Sequence, residues 1–145
     1  MQTTIERELE LTLVLPPDRR VPVPSKLSYR TDDPFAVHVD FHLGSPRLVH
    51  WTFARELLVE GVFRPSGDAD VRVWPAAPRG TRAGRRTVVC VALSSPEGEA
   101  LLEAPAGPLG AWLERTLRLV PPGEECAEAG FDEALGALLG GGPGA

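Results

Sequence analysis

Lysine is almost missing from this chain: Lys26 is the only one among 15 basic side chains. Against 20 acidic residues these leave a formal net charge of −5. A generic nucleic-acid coat is normally basic, so that sign argues against one. Cysteine is scarce as well. Cys90 lies in the apolar run TVVCVAL and Cys126 in a polar stretch. Two free thiols in a reducing compartment are therefore expected, not a disulfide framework. A redox role would need a basic, partly exposed setting, which neither has in sequence. No apolar run reaches roughly 18 residues, so no membrane-spanning helix is expected. The opening MQTTIERELE puts acids where a secretory signal needs a basic region and an apolar core. A cytoplasmic chain is the expectation. The arginine-for-lysine bias, with 15 glycines and 15 prolines, reads as GC-rich coding and not as mechanism.

The common catalytic motifs are missing too. No GxGxxG or GxxxxGK[ST] occurs, so a phosphate cradle is not expected. LSSPEG is not GxSxG, and Ser94-Ser95 reads as a turn. Carboxylates are many but scattered, and no pair suited to glycoside chemistry stands out. Nothing in these residues argues for an enzyme, and no cofactor is expected.

What the chain does have is alternation. At 145 residues it is one domain, able to bury roughly two-thirds of its unfolded surface. From Thr4 to Leu15, Ile5, Leu9, Leu11, Leu13 and Leu15 share one face, with glutamates on the other and Arg7 as the mismatch. That is a long half-buried strand, ended by Pro16-Pro17. The prolines of VPVPSKLSYR predict a short, delayed second strand over Leu27 to Arg30, and Asp33-Pro34 a turn. Ala36–Gly44 is a third strand, with Val37, Val39, Phe41 and Leu43 inward. LVHWTFA follows as the other arm of a hairpin. ARELLVEG switches to helical spacing, with Arg55, Glu56 and Glu60 outside and Gly61 as its stop. VRVWP is a fifth strand, and TVVCVAL a central strand buried on both faces. A return strand then runs from Glu99 to Ala104. Leu109, Trp112, Leu113, Thr116 and Leu117 mark the clearest amphipathic helix, and a last helix is predicted from Asp132. Strands before helices point to an α+β domain with a largely antiparallel sheet. It spans residues 1–139, with a disordered glycine-rich tail over 140–145.

The most chemical-looking stretch is AVHVDFHLG. On a strand His38, Asp40 and His42 project from one side and could share a metal, with His50 expected on the adjacent strand. Zinc asks for about four ligands, and no HExxH-like element or Cys/His cluster supplies the rest. The polar face of a sheet is the favoured reading of all three. APRGTRAGRRT gathers Arg79, Arg82, Arg85 and Arg86, which could touch phosphate, an anionic lipid surface or an acidic protein face. More often such a loop is simply a solvated, mobile hairpin, and that is the favoured reading. Core packing is the default for Trp51, Trp74 and Trp112. Trp74, set before a proline at a strand end, is the one expected to be partly exposed and available to a partner.

Five stretches, in order, resemble the SsgA-like family of actinobacterial sporulation and cell-division proteins: DPFAVHVDFHLG, WTFARELLVEGVFRPSGDADVRVWP, VVCVALSSPEGEALLEAP, ERTLRLVPPG and FDEALGALL. They cover nearly the whole chain. The resemblance implies a strongly curved, Whirly-like antiparallel sheet with two or three helices, assembled as a homotrimer. It also implies a non-enzymatic regulator or adaptor of sporulation-specific division, concentrated at septa. Its partners would be division proteins such as the tubulin-like ring protein FtsZ or its membrane anchors. The Arg79–Arg86 loop and the glycine-rich tail depart from the family pattern and leave the paralogue open. The alternative reading is a single-stranded nucleic-acid binder working through that arginine loop, which the net charge opposes.

Overall fold

Alternation along the first dozen residues becomes β1, Thr4–Leu15, as its period requires. The computed structural model describes residues 2–44, 47–77 and 88–128. Within them β2 is Arg19–Arg30, β3 Ala36–Gly44, β4 Arg47–Ala54 and α1 Arg55–Gly61. Then come β5 Val71–Ala76, β6 Val88–Ser95, β7 Gly98–Pro105, α2 Ala106–Leu119 and α3 Glu125–Glu128. The seven strands form one antiparallel sheet in the order β4-β3-β2-β1-β7-β6-β5. The Arg79–Arg86 loop, the helix expected from Asp132 and the 140–145 tail lie outside the described residues.

The sheet is strongly curled, and the connectivity shows why it must be. Strands β4 and β5 are its two opposite edges, yet the seven-residue α1 packs on both. Laid flat, seven strands would hold those edges about 29 Å apart. A helix of seven residues is only about 10 Å long. The edges therefore turn toward each other, and α1 carries the chain between them. Gly61 makes this close. It is buried at the end of α1, where a Cβ would lie 2.2 Å from Val73 Cγ1. The glycine expected as a helix stop is thus a contact point between helix and edge strand.

Inward-facing side chains fill the curl. Leu11 from β1, Leu27 and Tyr29 from β2, Val37, Val39 and Phe41 from β3, and Val89 and Val91 from β6 share one cluster with Leu58 of α1 and Leu109, Trp112 and Leu113 of α2. The helical spacing in the sequence thus reports the face that α2 lays on the sheet. Trp112 is 0% exposed, and its indole N–H donates to the Ile5 carbonyl at 3.3 Å. That carbonyl lies in the half of β1 that β7, pairing only with Thr12–Val14, does not reach. Side chain thus replaces strand as the partner of a backbone acceptor.

Four expectations change. Strand β2 starts at Arg19 and not at Leu27, and pairs with β1 over its whole length. Pro22 and Pro24 are tolerated because β3 pairs with β2 only over Ser25–Ser28, so the proline half has one neighbour, and a missing N–H on the open side costs nothing. The run TVVCVAL is one strand in from the edge. Val89, Cys90 and Val91 are nevertheless all buried, on alternating faces. Leu43, at the hairpin end of β3, is 48% exposed. Arg55, expected outside, is 2% exposed. Its guanidinium donates to the Thr116 carbonyl at 3.0 Å and to Glu125 Oε2 at 2.8 Å, and lies 4.9 Å from the centre of the Tyr29 ring. One arginine thereby ties α1 to the C-terminal end of α2 and to α3.

Candidate functional site

The polar alternate residues of the strands share the outer face of the sheet, and register decides which of them meet. Glu8 faces Lys26, Lys26 faces Asp40, and Asp40 faces His50. One step along, His38 faces Thr52. His38 and His50 are therefore diagonal neighbours, with ring centroids 5.3 Å apart. His50 Nδ1 lies 2.6 Å from Asp40 Oδ1, and His38 Nε2 lies 2.8 Å from Asp33 Oδ2 in the turn before β3. The two remaining ring nitrogens, His38 Nδ1 and His50 Nε2, face each other at 3.3 Å. Thr52 Oγ1 stands 3.3 Å from the first and 3.2 Å from the second. A groove of about 350 Å³, bordered by Thr4, Glu6, Ser28 and Arg30, opens in front of this network.

The set expected from sequence, His38, Asp40 and His42, is thus only partly brought together. Asp40 is engaged by His50 from the neighbouring strand, and His38 by Asp33. His42 lies opposite Leu48, is exposed, and borders a separate groove with Glu8 and Glu10. Sequence placed His50 on the adjacent strand but could not supply its register. Among the described residues no three His, Cys, Asp or Glu side chains converge as a metal-binding group.

The other half of the outer face is more apolar. Trp74 faces Cys90, and Cys90 faces Glu103. Arg20 reaches across from β2 to form an ion pair with Glu103. Burial, with Glu103 as a second cause, pushes the Cys90 thiol up to about 11. At neutral pH it stays protonated, which makes it a poor nucleophile. Cys126 is exposed, and both cysteines are free. Beside this row a groove of about 640 Å³ is bordered by Trp74, Arg72, Val14, Leu101, Pro16 and Pro17. Trp74 is half-buried, as expected, and so is Trp51; Trp112 alone of the three is in the core. The exposed glutamates 6, 8 and 10 run along β1 on the same outer face.

Residues 23–125 match the family described as Streptomyces sporulation and cell division protein, SsgA. The chain belongs to the SsgA family. It is 51% identical to the sporulation-specific cell division protein SsgB of Streptomyces coelicolor, over 96% of this chain and 98% of the relative. Identity to the SsgB protein of Frankia casuarinae is 46%, over 97% of this chain and 94% of that one. Two solved structures share the fold. One comes from work on SsgB mutations that correlate with longitudinal cell division during sporulation of Streptomyces coelicolor. It superposes with a TM-score of 0.80 at 53% identity, over 88% of this chain and 97% of the other. The other is an SsgA-like sporulation-specific cell division protein from Thermobifida fusca, with a TM-score of 0.79 at 40% identity, over 94% of this chain and 96% of that one. The curled antiparallel sheet with helices expected from the sequence is the SsgA-family fold. Among the described residues no helix is long and apolar enough to cross a membrane.

Proposed function

We propose that this SsgA-family chain is a non-enzymatic adaptor of sporulation-specific cell division that positions or recruits the septation machinery through protein–protein contacts. The observation that carries the reading is likeness, over nearly the whole length, to proteins named as sporulation-specific cell division proteins. The outer face supports it. Asp33 and Asp40 are each paired with a histidine, and the face's one cysteine is a protonated thiol. The Trp74 groove offers the partly apolar, arginine-flanked surface that protein contacts favour. The edge strand β4, which pairs with β3 alone among the described residues, suits a homotrimer in which it meets a neighbouring copy. The partner in this reading is the tubulin-like ring protein FtsZ or one of its membrane anchors, met at the septum. The arginine-loop reading, a single-stranded nucleic-acid binder, is the weaker one: the glutamate row along β1 repels phosphate across the sheet face.

Co-sedimentation with GTP-polymerised FtsZ tests the partner. The purified chain is expected to pellet with polymer, and Trp74→Ala, folded by circular dichroism, to pellet less. A chain that stays in the supernatant with and without polymer would count against FtsZ as the direct partner.

A further inference from the structure

We propose that His38 and His50 form a surface site for a divalent first-row transition-metal ion, with zinc as the probe. The geometry of the two rings leads there. A carboxylate only accepts, so Asp33 and Asp40 each take an N–H from their histidine. That fixes the proton of His38 on Nε2, 2.8 Å from Asp33, and that of His50 on Nδ1, 2.6 Å from Asp40. A neutral imidazole has one N–H. With both rings neutral, the nitrogens left over, His38 Nδ1 and His50 Nε2, face each other as lone pairs at 3.3 Å, a spacing that one shared proton or one metal ion can bridge. Two lone pairs so placed repel. The Thr52 hydroxyl stands within 3.3 Å of both but has a single proton, and can satisfy only one at a time. A metal ion bridging the two nitrogens would satisfy both lone pairs at once and free the hydroxyl.

The spacing selects the kind. Two nitrogens bound to one tetrahedral zinc at the usual 2.0–2.1 Å lie about 3.3–3.4 Å apart. The pair therefore already has the edge length of a zinc tetrahedron. Each imidazole is also backed by a carboxylate on its far nitrogen, the arrangement that orients metal-binding histidines and raises their basicity. The groove in front is open to water, which completes the coordination. Arg30, on its rim, is neutralised by Asp32 at 2.9 Å, and Lys26 leans to Glu6 at 3.6 Å. The nearby cations thus have their own carboxylates. The site has two protein ligands only, since among the described residues no three such side chains converge. The ligand pair differs from the one alternation along β3 would choose: it joins two strands and leaves out His42. An ion held there would pin the edge strand β4 to β3.

The test uses full-length, tag-free protein titrated with zinc chloride by calorimetry. One zinc per chain is expected, with affinity falling at least tenfold in His38→Ala and in His50→Ala. Asp40→Asn should weaken it about tenfold, the usual effect of losing a supporting carboxylate. His42→Ala should bind like the parent, although His42 is an exposed histidine on the same strand face. Should an alanine variant fail to fold, the parent still decides, because the chain has only three histidines. On adding zinc, the imidazole NMR signals of His38 and His50 should move together while those of His42 stay. Absence of binding would overturn the site and leave a shared proton between the rings. Equal shifts of all three histidines would overturn it as well.

Discussion

Arg55→Ala should lower unfolding stability by roughly 3 kcal/mol, the low end of what removing one partner of a buried ion pair costs. Arg55 is 2% exposed, so its charge is desolvated and depends on its partners. The substitution takes a donor from the Thr116 carbonyl and one from Glu125, and leaves a void beside the Tyr29 ring. The low end applies because the Glu125 side chain keeps 17% of its exposure and can recover some hydration. Arg55→Met, which keeps most of the volume, should cost less. Urea unfolding monitored by tryptophan fluorescence measures both, and a loss below about 0.5 kcal/mol, the range of ordinary surface substitutions, would contradict this role.

The same pair gives a pH signature. The hydrogen bond from Arg55 holds the Glu125 carboxyl below its ordinary value of 4.5, with backbone hydrogen bonding adding to it. A carboxyl whose folded pKa is depressed contributes stability above its unfolded value and loses it as pH falls through the folded one. The gap between parent and Arg55→Ala should therefore be constant near neutral pH and narrow as pH drops below about 4.5. A gap that widens in acid would contradict the assignment.

Trp112→Ala should cost about 3–5 kcal/mol, the range for emptying a buried tryptophan site. Two effects add there. The side chain is 0% exposed within the cluster that joins α2 to the sheet, and its N–H is the partner of the Ile5 carbonyl. Trp112→Phe separates them: it keeps much of the packing and gives up the hydrogen bond, for about 1–2 kcal/mol plus a smaller void. Chemical unfolding of the three proteins at one protein concentration checks the order. Equal stability of Phe and Ala variants would show that packing of the ring plays no part.

These two residues also mark what could be read from sequence. Trp112 was legible: Leu109, Trp112, Leu113 and Thr116 fall at helical spacing, and all four are buried. Strands β1 and β3 were legible to the residue, because each has one wet and one dry face. Arg55 was not. Helical spacing put a charge outside, and the groups that make burial tolerable, Thr116 and Glu125, lie 61 and 70 residues further on. Strand β2 was shortened because Pro22 and Pro24 read as breakers, while the open side that accommodates them is a property of the neighbouring strand. The histidine site shows the same limit. Period two placed His38, Asp40 and His42 on one face, but the partner of His38 follows from the register of β4, set by the hairpin and its irregularity between His42 and Gly44. The curl too is tertiary: it comes from α1 joining opposite edges, which no local pattern encodes.

The central claim, that this SsgA-family chain acts by bringing division proteins to the septum, is tested most directly by timing in living cells. A fluorescent fusion at the native locus would be followed with labelled FtsZ through sporulation, in the parent and beside a deletion strain. The account predicts that the fusion reaches future septa before the ring, and that rings fail to assemble there in the deletion strain. Arrival only after complete rings have formed, with normal rings in the deletion strain, would contradict it.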